Sequence, residues 1–115
     1  MSISKTRQTL VDVARQLFAK KGVGNTTMND IAKSSGKGRR TLYTYFNRKE
    51  EIVYAVIESE LDRLSDKMDE VANKNKPPQD KIIELIYTHL MMIRETVVRN
   101  GNLRAEFFRN IWMVE

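Results

Sequence analysis

Hydrophobic residues recur along most of this chain at intervals of three and four, the spacing that places them on one face of a helix. The first such stretch covers residues 5–21 and ends at Gly22, after two lysines that suit the negative end of the helix dipole. Longer stretches follow at about 48–71 and 79–99. The apolar positions of the three stretches are Leu10, Val13, Ala14, Leu17 and Phe18, then Ile57, Leu61, Leu64, Met68 and Val71, then Ile82, Ile83, Ile86, Leu90, Ile93 and Val97. No stretch shows the sustained alternation of a strand, so the sequence predicts an all-α fold.

Polar breaks between the helices indicate the domain organisation. Residues 73–80, NKNKPPQD, contain both prolines of the chain and form the clearest boundary. Asn100 and Gly101 end the fifth helix, and a predicted sixth helix begins with Leu103, Phe107, Phe108, Ile111 and Trp112. We predict an N-terminal domain at 1–50, a connecting helix and linker at 51–76, and the start of a second helical domain at 77–115, which we expect to be incomplete.

The stretch 26–46, TTMNDIAKSSGKGRRTLYTYF, predicts two short helices joined by a tight turn. Thr27 is placed to cap the first of them, and Asp30, three residues later, completes a capping box. Gly36 can take the positive φ that ends this helix. The second helix covers about residues 38–45, and it is too short to be stable without tertiary packing.

The apolar residues of this stretch predict how it is held in place. Leu42 and Phe46 lie four apart on one face, and we expect them to pack with Ile31 against the first helix of the chain. The result is a three-helix unit around one small core. Asn47 then caps the long helix that follows, with Glu50 at its third position completing a second capping box.

Charge is distributed unevenly between the two halves of the chain. The net charge is +5, but residues 1–50 hold eleven Lys and Arg against three acids, a balance of +8, and residues 51–115 hold nine against twelve, a balance of −3. A basic half joined to a mildly acidic remainder is typical of a module that binds a polyanion.

The second short helix concentrates basic, hydroxyl and aromatic side chains after a glycine turn, which suits the major groove of DNA. We therefore predict a helix-turn-helix DNA-binding domain whose second helix is the recognition helix, joined by a long helix to a C-terminal helical domain. Thr27 serves both as a cap and as a phosphate contact through its backbone N–H or hydroxyl. The further candidate contacts are Lys37, Gly38, Arg39, Arg40, Thr41, Tyr43, Thr44 and Tyr45. Tyr43 and Tyr45 lie about 200° apart round the helix, so at most one of them can face the groove fully.

Other classes of function receive less support from the composition. The chain has one His, no Cys and no Gly-rich phosphate loop, and no carboxylate pair is set against a nucleophile and base; we therefore predict no enzyme activity, no cofactor and no metal site. The N-terminus has no apolar signal region and no run approaches membrane-spanning length, which favours a cytoplasmic protein.

Several positions in the order TTMNDIAKSSG, TLYTYF, RKEEI resemble the N-terminal DNA-binding domain of the TetR family of bacterial repressors. The resemblance covers about residues 5–60 closely. The family pattern T-L-Y-x-Y/H-F-x-x-K-x-x-L falls on Thr41, Leu42, Tyr43, Tyr45, Phe46, Lys49 and Ile52. It implies a homodimer on a palindromic double-stranded operator, with Lys49 as a phosphate contact and a C-terminal domain that binds a small-molecule effector and releases DNA. In the family the fifth helix can line the effector pocket, which points to Tyr87, His89, Met92 and Trp112, although core packing is the more common role of such residues.

The chain departs from the family pattern in the turn and in length. Lys37 stands where the family has an apolar residue, Gly38 where it has a small capping residue, and Arg40 where it often has Gly or Ala. The turn is therefore more basic than usual. Family members are also longer, with a dimer interface formed mainly by helices beyond the sixth, so we expect this sequence to be a fragment.

Two other readings of the helices remain open. The apolar seam of the long helix at 48–71 would suit a protein-interaction module that binds a partner helix, a reading that leaves the basic cluster unexplained. A membrane-surface role for the basic first helix ranks third, because its apolar stripe is needed for the core.

Overall fold

The computed structural model describes residues 2–103, with side chains from residue 5 onwards. These residues form five α-helices and one short 3-10 turn: α1 (Ser2–Lys21), α2 (Met28–Ser35), α3 (Arg39–Tyr45), α4 (Lys49–Ala72), α5 (Pro78–Asn100) and the 3-10 turn Gly101–Leu103. No strand occurs in this part of the chain, which confirms the all-α prediction. The predicted sixth helix beyond Leu103, with Phe107, Phe108, Ile111 and Trp112, lies outside the described residues.

Local sequence signals define the ends of the short helices. α1 ends at Gly22, whose N–H donates to the carbonyl of Phe18 at 2.8 Å. α2 begins with the predicted capping box of Thr27 and Asp30 and ends at Gly36, which adopts the left-handed conformation with φ of 70°. These contacts satisfy backbone groups that a helix end otherwise leaves without partners.

The start of α4 differs from the prediction. α4 begins at Lys49, so its third helical residue is Glu51 rather than Glu50. The carboxylate of Glu51 accepts from the backbone N–H of Asn47 at 3.0 Å. The predicted capping pair of Asn47 with Glu50 is therefore wrong, because the helix starts one residue later than the sequence pattern implied.

The described chain divides into two compact units. The first contains α1, α2, α3, the start of α4 as far as Ile57, and the 3-10 turn; the second contains residues 58–99. The domain boundaries at residues 50 and 76 stay a prediction.

A single hydrophobic core holds the first unit together. Leu42 of α3 and Phe46, the residue after α3, are buried with Ile31 of α2, as the sequence predicted. Val11 is buried on α1, whereas the predicted Val13 is only half-buried. Among the described residues, the buried hydrophobic side chains of this core are Leu10, Val11, Ala14, Phe18, Ile31, Ala32, Leu42, Phe46, Ile52, Val53, Ala55, Val56, Ile57 and Leu103. Each large side chain in it contributes roughly 1.5–3 kcal/mol of burial free energy.

The 3-10 turn after α5 packs against the C-terminal end of α1. Leu103 is fully buried in the hydrophobic core of the first unit, although 46 positions separate it from Ile57, the preceding core residue along the chain. The side-chain amide of Asn102 donates to the carbonyl of Lys20 at 3.0 Å, so it satisfies a carbonyl of the last turn of α1. At Gly101 the two backbones approach so closely that an added Cβ would lie 2.7 Å from the carbonyl oxygen of Ala19.

The second unit pairs the later part of α4 with α5 through charged side chains. Glu60 is 4% exposed and forms an ion pair with Arg99 at 2.9 Å, and Arg63 donates to Glu95 at 2.9 Å. Near the linker, the carboxylate of Glu84 forms ion pairs with the ammonium groups of both Lys74 and Lys76. The hydrogen bond from Lys74 is the main cause that lowers the pKa of Glu84, and the same bond raises the pKa of Lys74.

The apolar stripe predicted for α5 is open to solvent. Met92 is buried, but Ile82, Ile83, Ile86, Leu90 and Ile93 are between 43% and 66% exposed. The periodic pattern correctly identified the residues that share a face of the helix, but the described residues leave most of this face uncovered. Among the described helices, none combines the length and hydropathy needed to span a bilayer.

Candidate nucleic-acid interface

The N-terminus of α2 is fixed by three polar contacts to the carboxylate and backbone of Asp30. The hydroxyl oxygen of Thr27 accepts from the N–H of Asp30, and the N–H of Thr27 donates to the Asp30 carboxylate, each at 3.0 Å. Lys21 of α1 donates to the same carboxylate at 3.0 Å. The backbone hydrogen bond from Thr27, followed by the hydrogen bond from Lys21, lowers the pKa of Asp30 to about 2.

This arrangement changes what Thr27 can offer to a phosphate. Its backbone N–H, one of the two groups predicted to contact DNA, donates to Asp30 within the protein. Its side chain is exposed at the start of α2. Thr27 therefore acts first as the cap that positions α2.

The turn between α2 and α3 is held by Ser35. Its hydroxyl donates to the carbonyl of Ala32 at 3.0 Å and accepts from the N–H of Lys37 at 3.3 Å. Gly38 then occupies the position before α3 with φ of 83°, and no side chain caps the helix there. Lys37 and Gly38 are both exposed.

Burial of one side of α3 determines which of its side chains face solvent. Because Leu42 is buried in the core, Arg39, Arg40 and Thr44 are left exposed. The guanidinium of Arg39 lies over the ring of Tyr43, 5.9 Å from its centroid. The hydroxyl of Thr44 donates to the carbonyl of Arg40 at 2.9 Å. α3 thus presents two cations, an aromatic ring and a hydroxyl on one continuous outer surface.

The two tyrosines of α3 occupy different environments. Tyr43 is 41% exposed and belongs to the outer surface, whereas Tyr45 is half-buried and packs against the core cluster. Thr41, between the two sides of the helix, is also half-buried. Of the two rings, that of Tyr43 is thus the more accessible to a ligand.

Lys49 makes a contact that the sequence did not predict. Its ammonium donates to the carbonyl of Val23 at 2.7 Å and so ties the start of α4 to the loop between α1 and α2. The side chain is half-buried. In the free protein, Lys49 therefore has an internal partner.

Arg7 is a basic residue near α3 that no local pattern in the sequence indicates. Its guanidinium lies over the ring of Phe46, 5.2 Å from the centroid, and the residue is exposed. α1 thereby adds a cation beside the end of α3. The excess of positive charge in residues 1–50 included Arg7, but 39 positions separate it from Phe46, and local patterns carry no information on such a contact.

Part of the first unit matches a known protein family in sequence. The family model described as "Bacterial regulatory proteins, tetR family" matches residues 10–56, the segment from α1 into α4. This segment is therefore a tetR-family domain. The HTH-type transcriptional regulators of Staphylococcus aureus strains USA300, NCTC 8325 / PS 47 and COL are each 43% identical to this chain over 58 residues. The match covers 50% of this chain and 31% of each relative, and no solved structure matches the chain.

An effector pocket, as the tetR resemblance implies it, was predicted on α5. In the second unit a shallow pocket of about 260 Å³ is lined by Met68, Leu85, Ile86, His89 and Leu90. Among the four predicted pocket residues, His89 lines it, Tyr87 is exposed and Met92 is buried. Trp112 lies outside the described residues.

Proposed function

We propose that this chain is a sequence-specific DNA-binding transcriptional regulator whose α3 enters the major groove. The observation that carries the proposal is the two-sided character of α3. Leu42 and Phe46 hold the helix against the core, while Arg39, Arg40 and Tyr43 project from the surface. The tetR family model covers this same segment.

The outer surface of α3 has the chemistry that DNA recognition uses. Arg39 and Arg40 suit guanine edges or phosphates, and Lys37 at the turn suits a phosphate. The ring of Tyr43 beneath Arg39 restricts the orientations of that guanidinium, so less conformational entropy is lost when it binds. On DNA, the hydroxyl of Thr44 exchanges its hydrogen bond to the carbonyl of Arg40 for one to a phosphate oxygen, or the methyl group of Thr44 contacts a thymine methyl.

The family resemblance extends the proposal to the whole protein. Two copies bind a palindromic double-stranded operator in the cytoplasm, with half-sites separated by about 34–36 Å or a multiple of it. The protein acts as a repressor, and a small-molecule effector releases it from DNA. The effector binds at α5, where His89 lines a shallow apolar pocket.

Binding to the DNA upstream of the protein's own gene tests the proposal. The chain is titrated against this duplex over a salt series, with a scrambled duplex as competitor. Preferential binding that weakens steeply with salt is expected, because each neutralised phosphate adds about 0.9 to the slope of log K against log salt. Arg40→Ala is expected to lower the slope by about 1. Lys67→Ala, which removes an exposed cation from α4 in the second unit, leaves the slope unchanged.

Two results would contradict the proposal. Equal affinity for native and scrambled duplex would leave only a basic surface without sequence recognition. No binding at any salt concentration would favour the alternative, a helical protein-interaction module that uses the apolar seam of α4, because apolar association responds little to salt.

A further inference from the structure

The chain contains one Asn-Gly dipeptide, Asn100-Gly101, and it lies where α5 ends and the 3-10 turn begins. Asparagine followed by glycine is the dipeptide most prone to deamidation, because a residue without a Cβ leaves its backbone nitrogen open to reaction with the preceding side chain. The approach to α1 explains the glycine, since a Cβ on residue 101 would lie 2.7 Å from the carbonyl oxygen of Ala19. The fold therefore requires the glycine of a chemically labile dipeptide.

The structure holds the chain on both sides of this peptide bond. Asn100 is fully buried and is the last residue of α5, so its backbone is helical. Deamidation requires the ψ angle of Asn100 to rotate out of the helical range, which is centred at about −42°. Beyond the bond, the side-chain amide of Asn102 donates to the carbonyl of Lys20, and Leu103 is fully buried in the core. The reactive conformation is therefore reached only when the 3-10 turn leaves α1.

We propose that Asn100 is a deamidation site, protected while the 3-10 turn packs on α1 and reactive when the turn detaches. In the detached state the backbone nitrogen of Gly101 attacks Cγ of Asn100 and closes a five-membered succinimide ring. The proton of that nitrogen leaves with the side-chain NH₂ group as ammonia. Water then opens the ring at either of its two carbonyls and gives aspartate or isoaspartate. The net change is asparagine plus water to aspartate plus ammonia, and water is the only co-reactant.

Both products oppose the return of the turn to α1. Aspartate introduces a carboxylate at a fully buried position, where removal from water disfavours the charge. Isoaspartate adds one carbon to the backbone before Gly101 and displaces this residue by about 1.5 Å, the length of a C–C bond. The space beside the Ala19 carbonyl is too small even for a Cβ. Deamidation therefore makes a transient opening of the turn permanent and removes Leu103 from the core of the first unit.

Mass spectrometry of the full 115-residue chain at mildly alkaline pH tests the site. Trypsin releases residues 100–104, NGNLR, and fragment ions of this peptide distinguish a change at Asn100 from one at Asn102. The chain unfolded in guanidinium chloride is expected to deamidate first at Asn100. The folded chain at the same pH is expected to react at least about 10-fold more slowly, because only the fraction with the turn open is reactive.

Two asparagine variants test whether the turn provides the protection. Asn102→Ala removes the hydrogen bond to the carbonyl of Lys20 and is expected to raise the deamidation rate of the folded chain about 3–10-fold. Asn25→Ala is the matched control, because it removes a 3.0 Å bond of the same type to the carbonyl of Lys21 from the loop after α1. This control leaves the rate unchanged. Circular dichroism confirms that both variants stay helical.

The stability of the product tests the consequence of the modification. The deamidated chain, separated by ion exchange, is expected to unfold at a lower guanidinium concentration than the unmodified chain. Equal stability of the two would overturn the proposed release of the turn. Equal deamidation rates of the folded and unfolded chains, or an unchanged rate in Asn102→Ala, would overturn the protection. An unfolded chain that reacts no faster at Asn100 than at Asn102 would overturn the site itself. None of these measurements involves DNA, so they are independent of the regulatory proposal.

Discussion

At the scale of single residues, Asp30 links α2 to α1. Its carboxylate accepts from the N–H of Thr27 and from Lys21, and its own N–H donates to Thr27. The hydrogen bonds that the carboxylate accepts from Thr27 and then Lys21 favour its ionised form, which is why the pKa of Asp30 is lowered to about 2 although the side chain is only half-buried. The position of α2 is therefore coupled to the charge of one side chain.

Acid should destabilise the protein through Asp30 over a defined pH range. An unfolded Asp has a pKa of about 3.9. Because folding lowers this pKa to about 2, the stabilisation is fully present above about pH 4 and is lost as the pH falls towards 2. In urea unfolding followed by circular dichroism, Asp30→Asn is expected to show a smaller loss of stability from pH 4 to pH 2 than the wild type. Asp66→Asn, an exposed change on α4, serves as the control; identical pH curves for wild type and Asp30→Asn would contradict the prediction.

A substitution of Lys49 can separate the internal role of this side chain from its proposed contact with a phosphate. Lys49→Met keeps the aliphatic stem but removes the donor to the carbonyl of Val23, and it is expected to destabilise the free protein by about 1 kcal/mol. Thermal unfolding without DNA measures this effect, with Lys67→Met as the control. An unchanged melting temperature together with a lower salt slope of DNA binding would assign Lys49 to phosphate contact alone.

At the scale of elements, α3 depends on its tertiary contacts. Seven residues are too few for a helix to be stable in water, and Gly38 provides no side-chain cap. Leu42 and Phe46 supply what the local sequence lacks, since they attach α3 to the core formed by α1, α2 and α4. The side of α3 that packs in the core is therefore different from the side that we propose binds DNA.

Substitutions on the two sides of α3 should have separable effects. Leu42→Ala is expected to destabilise the protein by about 2–5 kcal/mol, because it leaves a cavity in the core. Arg39→Ala and Tyr43→Ala are expected to weaken specific DNA binding while helicity and melting temperature stay close to the wild-type values. Circular dichroism and operator titration check the two effects, and unchanged operator affinity of both surface variants would contradict the assignment of α3 as the recognition helix.

Elements determined by neighbouring residues were predictable from the sequence, whereas contacts between distant residues were not. The capping box of Thr27 with Asp30 and the turn at Gly36 depend on three or four adjacent positions, and both were predicted. The site residues on α3 were named on the same local basis. The hydrogen bond of Lys49 to the carbonyl of Val23 joins α4 to the loop between α1 and α2, and a periodic sequence pattern does not predict such a contact. For α5, the periodic pattern predicted which apolar residues share a face of the helix. It did not predict that this face is exposed, since exposure depends on what packs against the helix.

At the scale of the whole molecule, the 3-10 turn completes the first unit. Gly101 has φ of 36°, and its backbone lies against the carbonyl of Ala19. Any side chain there meets both an unfavourable backbone conformation and an immediate clash. The turn also places Leu103 in the core beside residues of α1 to α4.

Gly101→Ala should therefore destabilise the first unit. The added Cβ would lie 2.7 Å from the Ala19 carbonyl oxygen, so the turn must shift, and a loss of about 1–3 kcal/mol is expected. Gly24→Ala is the matched control, because a Cβ at that loop position meets nothing within 4 Å. Chemical unfolding of both variants measures the difference. Equal stability of the two would show that the approach of the turn to α1 contributes nothing.

The return of the chain at Leu103 also affects how the protein is made. The N-terminal core is encoded in two separate parts, because the chain leaves the first unit after Ile57 and rejoins it at Asn100. A ribosome adding about 5–20 residues per second needs roughly two to eight seconds to synthesise the intervening residues. During that interval α1 to α3 are already synthesised, but Leu103, which belongs to the same core, is not. The DNA-binding half is translated first, yet its core is completed only after nearly all of the described chain has been synthesised.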